Sequence, residues 1–522
     1  MKRAVVYDKW LHTLGGGEVV ACHIAKILKE IGYDVIFICG KKISLKVIRE
    51  KTNVDLSGIK FIDIWNDEIE LKKIVQGKDL FINVSFMDYS YGYAKKNIYY
   101  THFPTQVYNN LKGFVFTNII IPNLGKYFKP LEFINQFPPQ EYKEGHLMYL
   151  IEKKVRLGFS YLNPKKIYLL KFTIFFENFY KSLIEEFNFK VENVEVKSKK
   201  ITVDHNYNII VFNIYLNPKS ETIFLDLINK NKNEKIYLIN PKIITIKIPD
   251  FIYKLIYEKI NARLRAGLFI NIKERLKSYQ KIICHSEFVK KWIKNYWQRD
   301  AHVLYPSVDL LFDKYDLSKI KKKNWICSVG RFFTLGHGKK QEILVQAFKK
   351  LYHQGLNDWQ LHLVGGIGNE PSSIEFLQYL KKQAKGYPIY FHLNVSKKKV
   401  EEILLKSKIY WQATGYKENE NKTPIKFEHF GIAPIEAISA GCIPILYNGG
   451  GMKEVIEKIF PDKDNYLFSL LNELINKTKN AINKNKNSDY FKVNNQKLNV
   501  FSIKKFKERF VNLLDNNTQL HN

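Results

Sequence analysis

Glu428-His429-Phe430-Gly431-Ile432-Ala433-Pro434-Ile435-Glu436-Ala437-Ile438-Ser439-Ala440-Gly441 is the stretch whose reading decides the fold. Two carboxylates stand with seven residues between them, and the second lies in an otherwise apolar helical turn. Gly431 breaks the chain, and Pro434 sits where the first turn of a helix tolerates it. Gly441 ends that helix as a C-cap would, and Cys442 to Leu446 reads as a short buried strand. Such a helix start collects anionic ligands, because its free N–H groups and its dipole point the same way. Glu436, flanked by Ile435, Ala437 and Ile438, is expected to accept hydrogen bonds from a ligand; the plainer alternative is an acid that complements the helix dipole.

Upstream, runs at 325–329, 360–364, 389–392 and 409–412 alternate with helical patterns at 340–354, 373–384 and 396–406. Together with 442–446 they call for a doubly wound parallel sheet. The N-terminal part gives a second such unit: a strand at 4–7, a helix at 18–29, strands at 35–39, 80–84 and 97–100. Between them, residues 146–248 change texture. Short runs at 167–176, 191–196, 207–216, 222–227, 235–238 and 243–248 are punctuated by Asn163-Pro164, Asn217-Pro218 and Asn240-Pro241. Phe179 to Glu186 offers one helix. This predicts an inserted antiparallel β-sandwich-like domain. Helical spacing returns at 251–279 and again at 287–296, where Lys290, Lys291 and Lys294 form a basic face suited to lipid headgroups or to plain solvation. The predicted domains are 1–145, an N-terminal Rossmann-like acceptor-side domain; 146–248, the insert; 249–300, a return to the first; 301–498, a C-terminal Rossmann-like domain; and 499–522, a helix and tail. Two facing sheets leave a cleft at the carboxyl ends of their strands, where ligands sit.

The chain has 522 residues, 45% apolar and 26% charged, as globular protein does. Its formal charge of +32 attracts nucleic acid, anionic membrane or anionic small molecules. Lys far outnumbers Arg and no nucleic-acid motif occurs, so nucleic-acid binding is the weakest option, and compositional bias accounts for part of the charge. Met1 to Asp8 runs straight into a strand with no apolar signal region, and no run reaches the length of a membrane span. The five cysteines lack paired spacing and read as reduced core thiols. A cytoplasmic protein, peripheral on the inner face of a membrane, is the expectation.

Further constellations sit at strand ends. Gly15-Gly16-Gly17-Glu18 joins the first strand to the first helix and lets backbone approach a phosphate closely; a tight turn explains it equally well. His102, in Tyr99-Tyr100-Thr101-His102-Phe103-Pro104, should project at the sheet's carboxyl edge, with a structural histidine as the alternative. Arg331 follows the strand at 325–329, and Lys339-Lys340 opens the next helix after Gly336-His337-Gly338. A guanidinium and an ammonium converging on one loop suit a diphosphate. Gly365-Gly366 and Gly449-Gly450-Gly451 close two more strands.

Taken together, GGGE at 15–18, THFP at 101–104, HSEF at 285–288, PSVD at 306–309, GRFF and GHGKKQ within 330–341, and EHFGIAPIEAISAG at 428–441 resemble the retaining, nucleotide-sugar-dependent glycosyltransferases of glycosyltransferase family 4, which have the two-domain GT-B fold. The resemblance leaves out 146–248, and the glycines usual after Glu454 are missing. It implies that Glu436 holds the nucleotide ribose, Glu428 lies beside the transferred sugar, and Arg331 with Lys339 grips the donor diphosphate. His102 would contact the sugar near the reacting centre. Gly16 and Gly17 would approach the diphosphate, and Phe430, Gly431, Ile432 and Gly365 would line the donor pocket. The implied activity is a retaining, metal-independent hexosyl transfer in polysaccharide or glycoconjugate synthesis, with no cofactor beyond the donor. The donor is UDP- or GDP-linked, with a lean to GDP-mannose, and the acceptor is a glycan or lipid-linked hydroxyl. No Asp-x-Asp cluster occupies a metal-binding loop, and no facing carboxylate pair suggests glycosidase chemistry. The alternatives are a sugar-nucleotide epimerase of the same fold class and a non-catalytic carbohydrate- or membrane-binding scaffold.

Overall fold

The computed structural model describes residues 1–107, 131–134, 138–143, 146–177, 187–204, 207–231, 234–245, 272–334, 338–368, 371–484 and 494–515, with a few single residues between 115 and 129. The possible helix at 179–186, most of that at 251–279, and His337 lie outside the described residues.

The N-terminal lobe starts with β1 (Arg3–Asp8), α1 (Gly16–Glu30), β2 (Asp34–Cys39), α2 (Leu45–Thr52), β3 (Lys60–Asp63), α3 (Glu68–Val75), β4 (Leu80–Asn83) and β5 (Lys96–Thr101). Ala4, Val5, Val6 and Tyr7 are all buried. A strand apolar on both faces is one covered on both faces, which is the requirement of a parallel sheet. Helix α1 lays Val20, Ala21, Ile24 and Leu28 on it.

Antiparallel strands follow: β6 (Leu131–Phe133), β7 (Gln140–Lys143), β8 (His146–Leu150), β9 (Lys154–Phe159), β10 (Tyr168–Phe176), β11 (Phe187–Glu192), β12 (Val194–Asp204), β13 (Ile209–Pro218), β14 (Ile223–Asn229) and β15 (Ile236–Ile244). They form a six-stranded sheet, β12-β13-β10-β15-β8-β7, and a four-stranded one, β11-β14-β9-β6. Leu157, Phe172, Phe212, Ile214, Leu225 and Leu238 share the core of both. The antiparallel strands thus begin at Leu131, upstream of residue 146.

Two expectations about this region need correction. The run at 191–196 straddles a turn at Asn193 (φ 63°), with β11 before it and β12 after it. Asn240-Pro241 is not a break between strands. Both residues lie inside β15, where the register slips opposite Lys171 and Thr173; a bulge accommodates Asn240 at φ 45° and a proline without an N–H. Asn217-Pro218 is itself the end of β13, with Pro218 paired to Val194, and the bend to β14 follows at 219–221.

The chain returns through α4 (Ile272–Lys277), β16 (Lys281–Cys284), α5 (Glu287–Trp297) and β17 (His302–Val303), completing a seven-stranded parallel sheet ordered β17-β16-β5-β4-β1-β2-β3. The basic face of α5 is neutralised locally: Lys290 pairs with Glu287, Lys291 with Glu420 and Lys294 with Asp300.

The C-terminal lobe contains β18 (Lys323–Val329), α6 (Gln341–His353), β19 (Gln360–Gly365), α7 (Pro371–Ala384), β20 (Ile389–Leu393), α8 (Lys397–Lys406), β21 (Ser407–Gln412), α9 (Ile432–Ser439), β22 (Ile443–Tyr447), α10 (Gly451–Ile459), β23 (Leu467–Phe468) and α11 (Leu471–Lys484). Its parallel sheet runs β20-β19-β18-β21-β22-β23. A last helix, α12 (Ile503–Asp515), crosses back and places Phe506, Phe510 and Leu514 in the N-terminal core beside Ala4 and Val6. All five cysteines are free and buried. No helix among the described residues is long and apolar enough to cross a membrane.

Burial holds His12 and His23 down to about 4 and His362 down to about 3. In the unfolded chain an imidazole takes its proton near ~6.5. The unfolded state therefore binds more protons between about pH 6.5 and 4, and stability is expected to fall as pH drops through that window. Chemical denaturation midpoints at pH 7.5, 6 and 5 check the sign.

Candidate functional site

Each lobe brings its site residues to the carboxyl edge of its sheet. In the C-terminal lobe, Gly431 at φ 97° caps α9 without a side-chain bond. A Cβ there would collide with Met452 Cε at 2.0 Å, so only glycine fits this bend. Phe430 is buried and stacks on Tyr305 at 5.7 Å. Ile432 opens the helix, and Glu436, one turn on, is 6% exposed.

Glu428 stands in the loop before α9. Lys339 Nζ donates to its Oε2 at 2.7 Å and Gln412 Nε2 donates to the same oxygen at 2.6 Å. Burial alone would raise this carboxyl's pKa, but the Lys339 ammonium and the Gln412 amide hold it below the ordinary value. The Lys339 stem lies directly on Gly330, where an added Cβ would come within 2.5 Å of its Cγ. Arg331, the next residue, is exposed, with its guanidinium 5.2 Å from the Phe333 ring centroid. Gly365 ends β19 tight against the Gly330 carbonyl, beside Arg331. Lys340 turns elsewhere, to Glu418 at 2.8 Å, so the two adjacent lysines have different carboxylates.

Glu436 is held by a residue that sequence reasoning missed. Lys397, at the start of α8, pairs with Glu436 and lies 3.9 Å from Asp309. Burial makes Glu436 harder to ionise, whereas Lys397 is held charged against burial by Glu436, Asp309 and Glu401. Lys397 faces several carboxylates at once and therefore stays charged beside Glu436. Gln412 was also missed. It ends β21, and nothing local in the sequence ties it to a glutamate sixteen positions on.

In the N-terminal lobe, Gly15 caps α1 and Gly16 faces the other lobe: a Cβ there would sit 3.0 Å from Ile432 Cδ1. Gly17 lies against His102, with a Cβ position 2.6 Å from the imidazole Cε1. His102 Nε2 lies 2.7 Å from the Val84 carbonyl. A carbonyl only accepts, which places the proton on Nε2. Burial lowers the His102 pKa despite the opposing charge of Glu18, so the ring is neutral near pH 7. Beside it are His285, held well below its usual value by burial and by the two other imidazoles, and His429.

The lobes meet at the base of this gap. Phe103 stacks on His429 at 4.4 Å, and Ser286 Oγ donates to the His429 carbonyl at 2.7 Å. Glu454 Oε2 accepts the Glu287 and Phe288 N–H groups at 2.9 and 3.3 Å, so a C-lobe carboxylate caps an N-lobe helix. Losing a helix cap costs about 0.5–2 kcal/mol, and Glu454→Ala is expected to lower the unfolding free energy by that order in denaturant titrations. The run Gly449 to Gly451 serves this architecture: the Gly451 N–H donates to the Glu428 carbonyl at 2.7 Å.

Glu428, Lys339 and Arg331 are thus gathered around the end of β18, and Glu436 sits deeper with Lys397. Gly16 faces Ile432 from the opposite lobe, with Gly17 and His102 packed together beside it. Such an arrangement can hold a polyanion at the cations while carboxylates accept from hydroxyl groups.

Residues 312–496 match the family model described as glycosyl transferases group 1. The GDP-Man:Man(3)GlcNAc(2)-PP-Dol alpha-1,2-mannosyltransferase of Dictyostelium discoideum is 26% identical over 260 residues, which are 45% of this chain and 46% of that protein. The chain matches about half the length of this relative. Among solved structures, HepE of Anabaena in complex with UDP-glucose superposes with a TM-score of 0.51 at 11% identity, over 98% of this chain and 99% of that one. The same protein in complex with UDP and glucose gives the same values. At such identity the likeness speaks for the fold. Two parallel-sheet lobes with this topology give the chain the GT-B fold, and within its C-terminal lobe residues 312–496 are similar to the group 1 glycosyl transferases.

Proposed function

We propose that this protein transfers a sugar from a nucleotide-diphosphate donor to a hydroxyl of a glycan or lipid-linked acceptor, retaining the anomeric configuration. The observation that carries this reading is the half-buried Lys339–Glu428 pair, packed on Gly330 next to Arg331. Arg331 and Lys339 meet the charge that develops on the departing diphosphate, Glu428 receives hydroxyls of the transferred sugar, and Glu436 receives those of the ribose. His102, neutral and fixed by Val84, faces the sugar. The donor is UDP- or GDP-linked; the relative named for GDP-Man favours GDP-mannose. A lipid-linked acceptor and the charge of +32 favour work at the cytoplasmic face of a membrane.

Nucleotide release from GDP-mannose and UDP-glucose, with and without lipid-linked acceptors, tests the reading. Release that accelerates with acceptor is the expected result; a scaffold or an epimerase gives none. Because two side chains neutralise the leaving group, the rate is expected to persist in EDTA, and its loss there, restored by a divalent cation, contradicts the metal-free reading. Proton NMR of the product's anomeric centre reads retention or inversion directly.

Gly17→Ala separates site geometry from folding. A methyl at this helical position raises intrinsic helix propensity by about 1 kcal/mol but displaces His102. Turnover is expected to fall about 10²-fold, the scale of a 1 Å misplacement, while in the melting temperature the helix gain opposes the cost of moving a packed, hydrogen-bonded ring and the fold is kept. Unchanged turnover would remove His102 from the reacting centre.

A further inference from the structure

A cavity of about 500 Å3 lies between the N-terminal lobe and the inserted sheets, within the range of roughly 300–1,000 Å3 usual for ligand sites. Neither Glu428, Glu436, Arg331 nor Lys339 lines it. One wall is Tyr7 of β1, the start of α3 and the turn 87–90 after β4; the other is 161–165, between β9 and β10, with Glu221 before β14.

The two walls are fastened by buried polar bonds. Trp65 Nε1 donates to Glu132 Oε2 at 2.7 Å, Asn66 Nδ2 to Ser160 Oγ at 3.1 Å, and Thr222 Oγ1 to the Asn66 carbonyl at 2.9 Å. The Glu68 N–H donates to Glu221 Oε2 at 2.7 Å. Such a seam makes the cavity a built feature and not a gap between sliding bodies.

Its lining is net acidic in a strongly basic chain: Asp67, Glu68, Asp88 and Glu221 stand against Arg275 and Lys165. Arg275 is engaged by Glu68 at 2.7 Å and by the Tyr89 carbonyl at 3.1 Å. Tyr161 is the partly exposed ring of the lining, whereas Tyr7 and Tyr89 are buried behind it, packed on Phe81 and on Tyr99 and Trp297. Met87 and Tyr161 both hold positive φ, 55° and 60°. Bulky residues avoid that region, and it is occupied here on both walls of the cavity. The cavity also adjoins the catalytic edge: the Tyr89 hydroxyl accepts from the Thr105 N–H at 3.2 Å, in the loop that carries His102.

We infer that this cavity binds neutral sugar residues of the acceptor glycan, with Tyr161 against an apolar ring face and the carboxylates and amides accepting from the hydroxyls. The acidic lining repels phosphates, which keeps the nucleotide donor out. This rests on the transferase reading above and adds where the acceptor is gripped and that the insert takes part.

The test titrates the full-length protein by calorimetry with mannotriose, maltotriose and chitotriose, with mannose 6-phosphate as the anionic probe, and with UDP and GDP in parallel. At least one trisaccharide is expected to bind saturably. Tyr161→Gly and Glu221→Gln are each expected to weaken it about tenfold, the effect of one lost ring face or charge-assisted hydrogen bond, while nucleotide affinity stays put. Gln at 221 keeps an acceptor for the Glu68 N–H, so it decides the matter if the Tyr161 variant does not fold. Nucleotide binding without any trisaccharide binding, trisaccharide binding indifferent to both variants, or displacement by mannose 6-phosphate overturns the inference and leaves the donor reading standing. Trisaccharide binding that depends on Tyr161 without nucleotide binding does the reverse.

Discussion

Alanine at Glu428 or at Lys339 is expected to lower sugar transfer by about 10²–10³-fold, the usual cost of one preorganised electrostatic contact to a transition state. The two variants should fail for different reasons. Without Lys339 the departing diphosphate loses a cation. Without Glu428 the sugar loses its acceptor, and Lys339 is left with no partner at 2.7 Å. Both side chains are about 15% exposed, so either single change strands a charge in a poorly solvated place, at a cost below the about 3–5 kcal/mol of breaking a fully buried pair. Replacing both, as Lys339→Met with Glu428→Gln, should recover most of that stability and none of the activity. Steady-state transfer together with urea unfolding separates the effects. The pH dependence has a defined sign: a carboxyl held below its ordinary value stabilises the fold above the unfolded pKa, and that contribution disappears as pH falls through the folded one.

Glu436→Ala is expected to weaken nucleotide binding about 10- to 100-fold, since hydrogen bonds to a charged acceptor contribute about 1.5–3 kcal/mol each. Nucleosides should suffer as much as nucleoside diphosphates, because the loss is at the ribose; Arg331→Ala should spare nucleosides. Lys397→Ala has a more particular signature. Removing this ammonium leaves Glu436 and Asp309 with no cation between them and burial unopposed, so Glu436 takes up a proton more readily. Nucleotide affinity in that variant should weaken as pH falls, while the wild type holds steady over the same range. In the wild type, Lys397 is raised above its unfolded value, so its share of stability is complete below that value and is lost only as pH rises through the folded one. Calorimetric titration of UDP, GDP and the nucleosides across pH measures all of this.

Residues 428–441 were legible because their chemistry is local: a glycine bend, a proline in a first turn, an acid in an apolar face. The two parallel sheets were legible for a related reason, since strands buried on both faces read as continuous apolar runs. The insert was harder. Strand β12 is exposed along almost its whole length and carries Lys197, Lys199 and Lys200, so no alternation announces it. Asn240-Pro241 looks like a turn unless the bulge opposite Phe172 is known. The partners of the site acids were hidden because each arrives from another element. Lys397 stands first among three consecutive lysines in a lysine-rich chain, and nothing but the placement of α8 beside α9 singles it out. Tyr161 carries no sequence signal at all; its φ and its position opposite Met87 appear only in three dimensions.

A crystal structure with GDP or UDP bound tests the central claim most directly. The expected result is a ribose on Glu436, with Lys397 moved aside or bridging, and a diphosphate between Arg331 and Lys339 near Gly16. A nucleotide lodged elsewhere, or one that touches neither Glu436 nor Arg331, contradicts it.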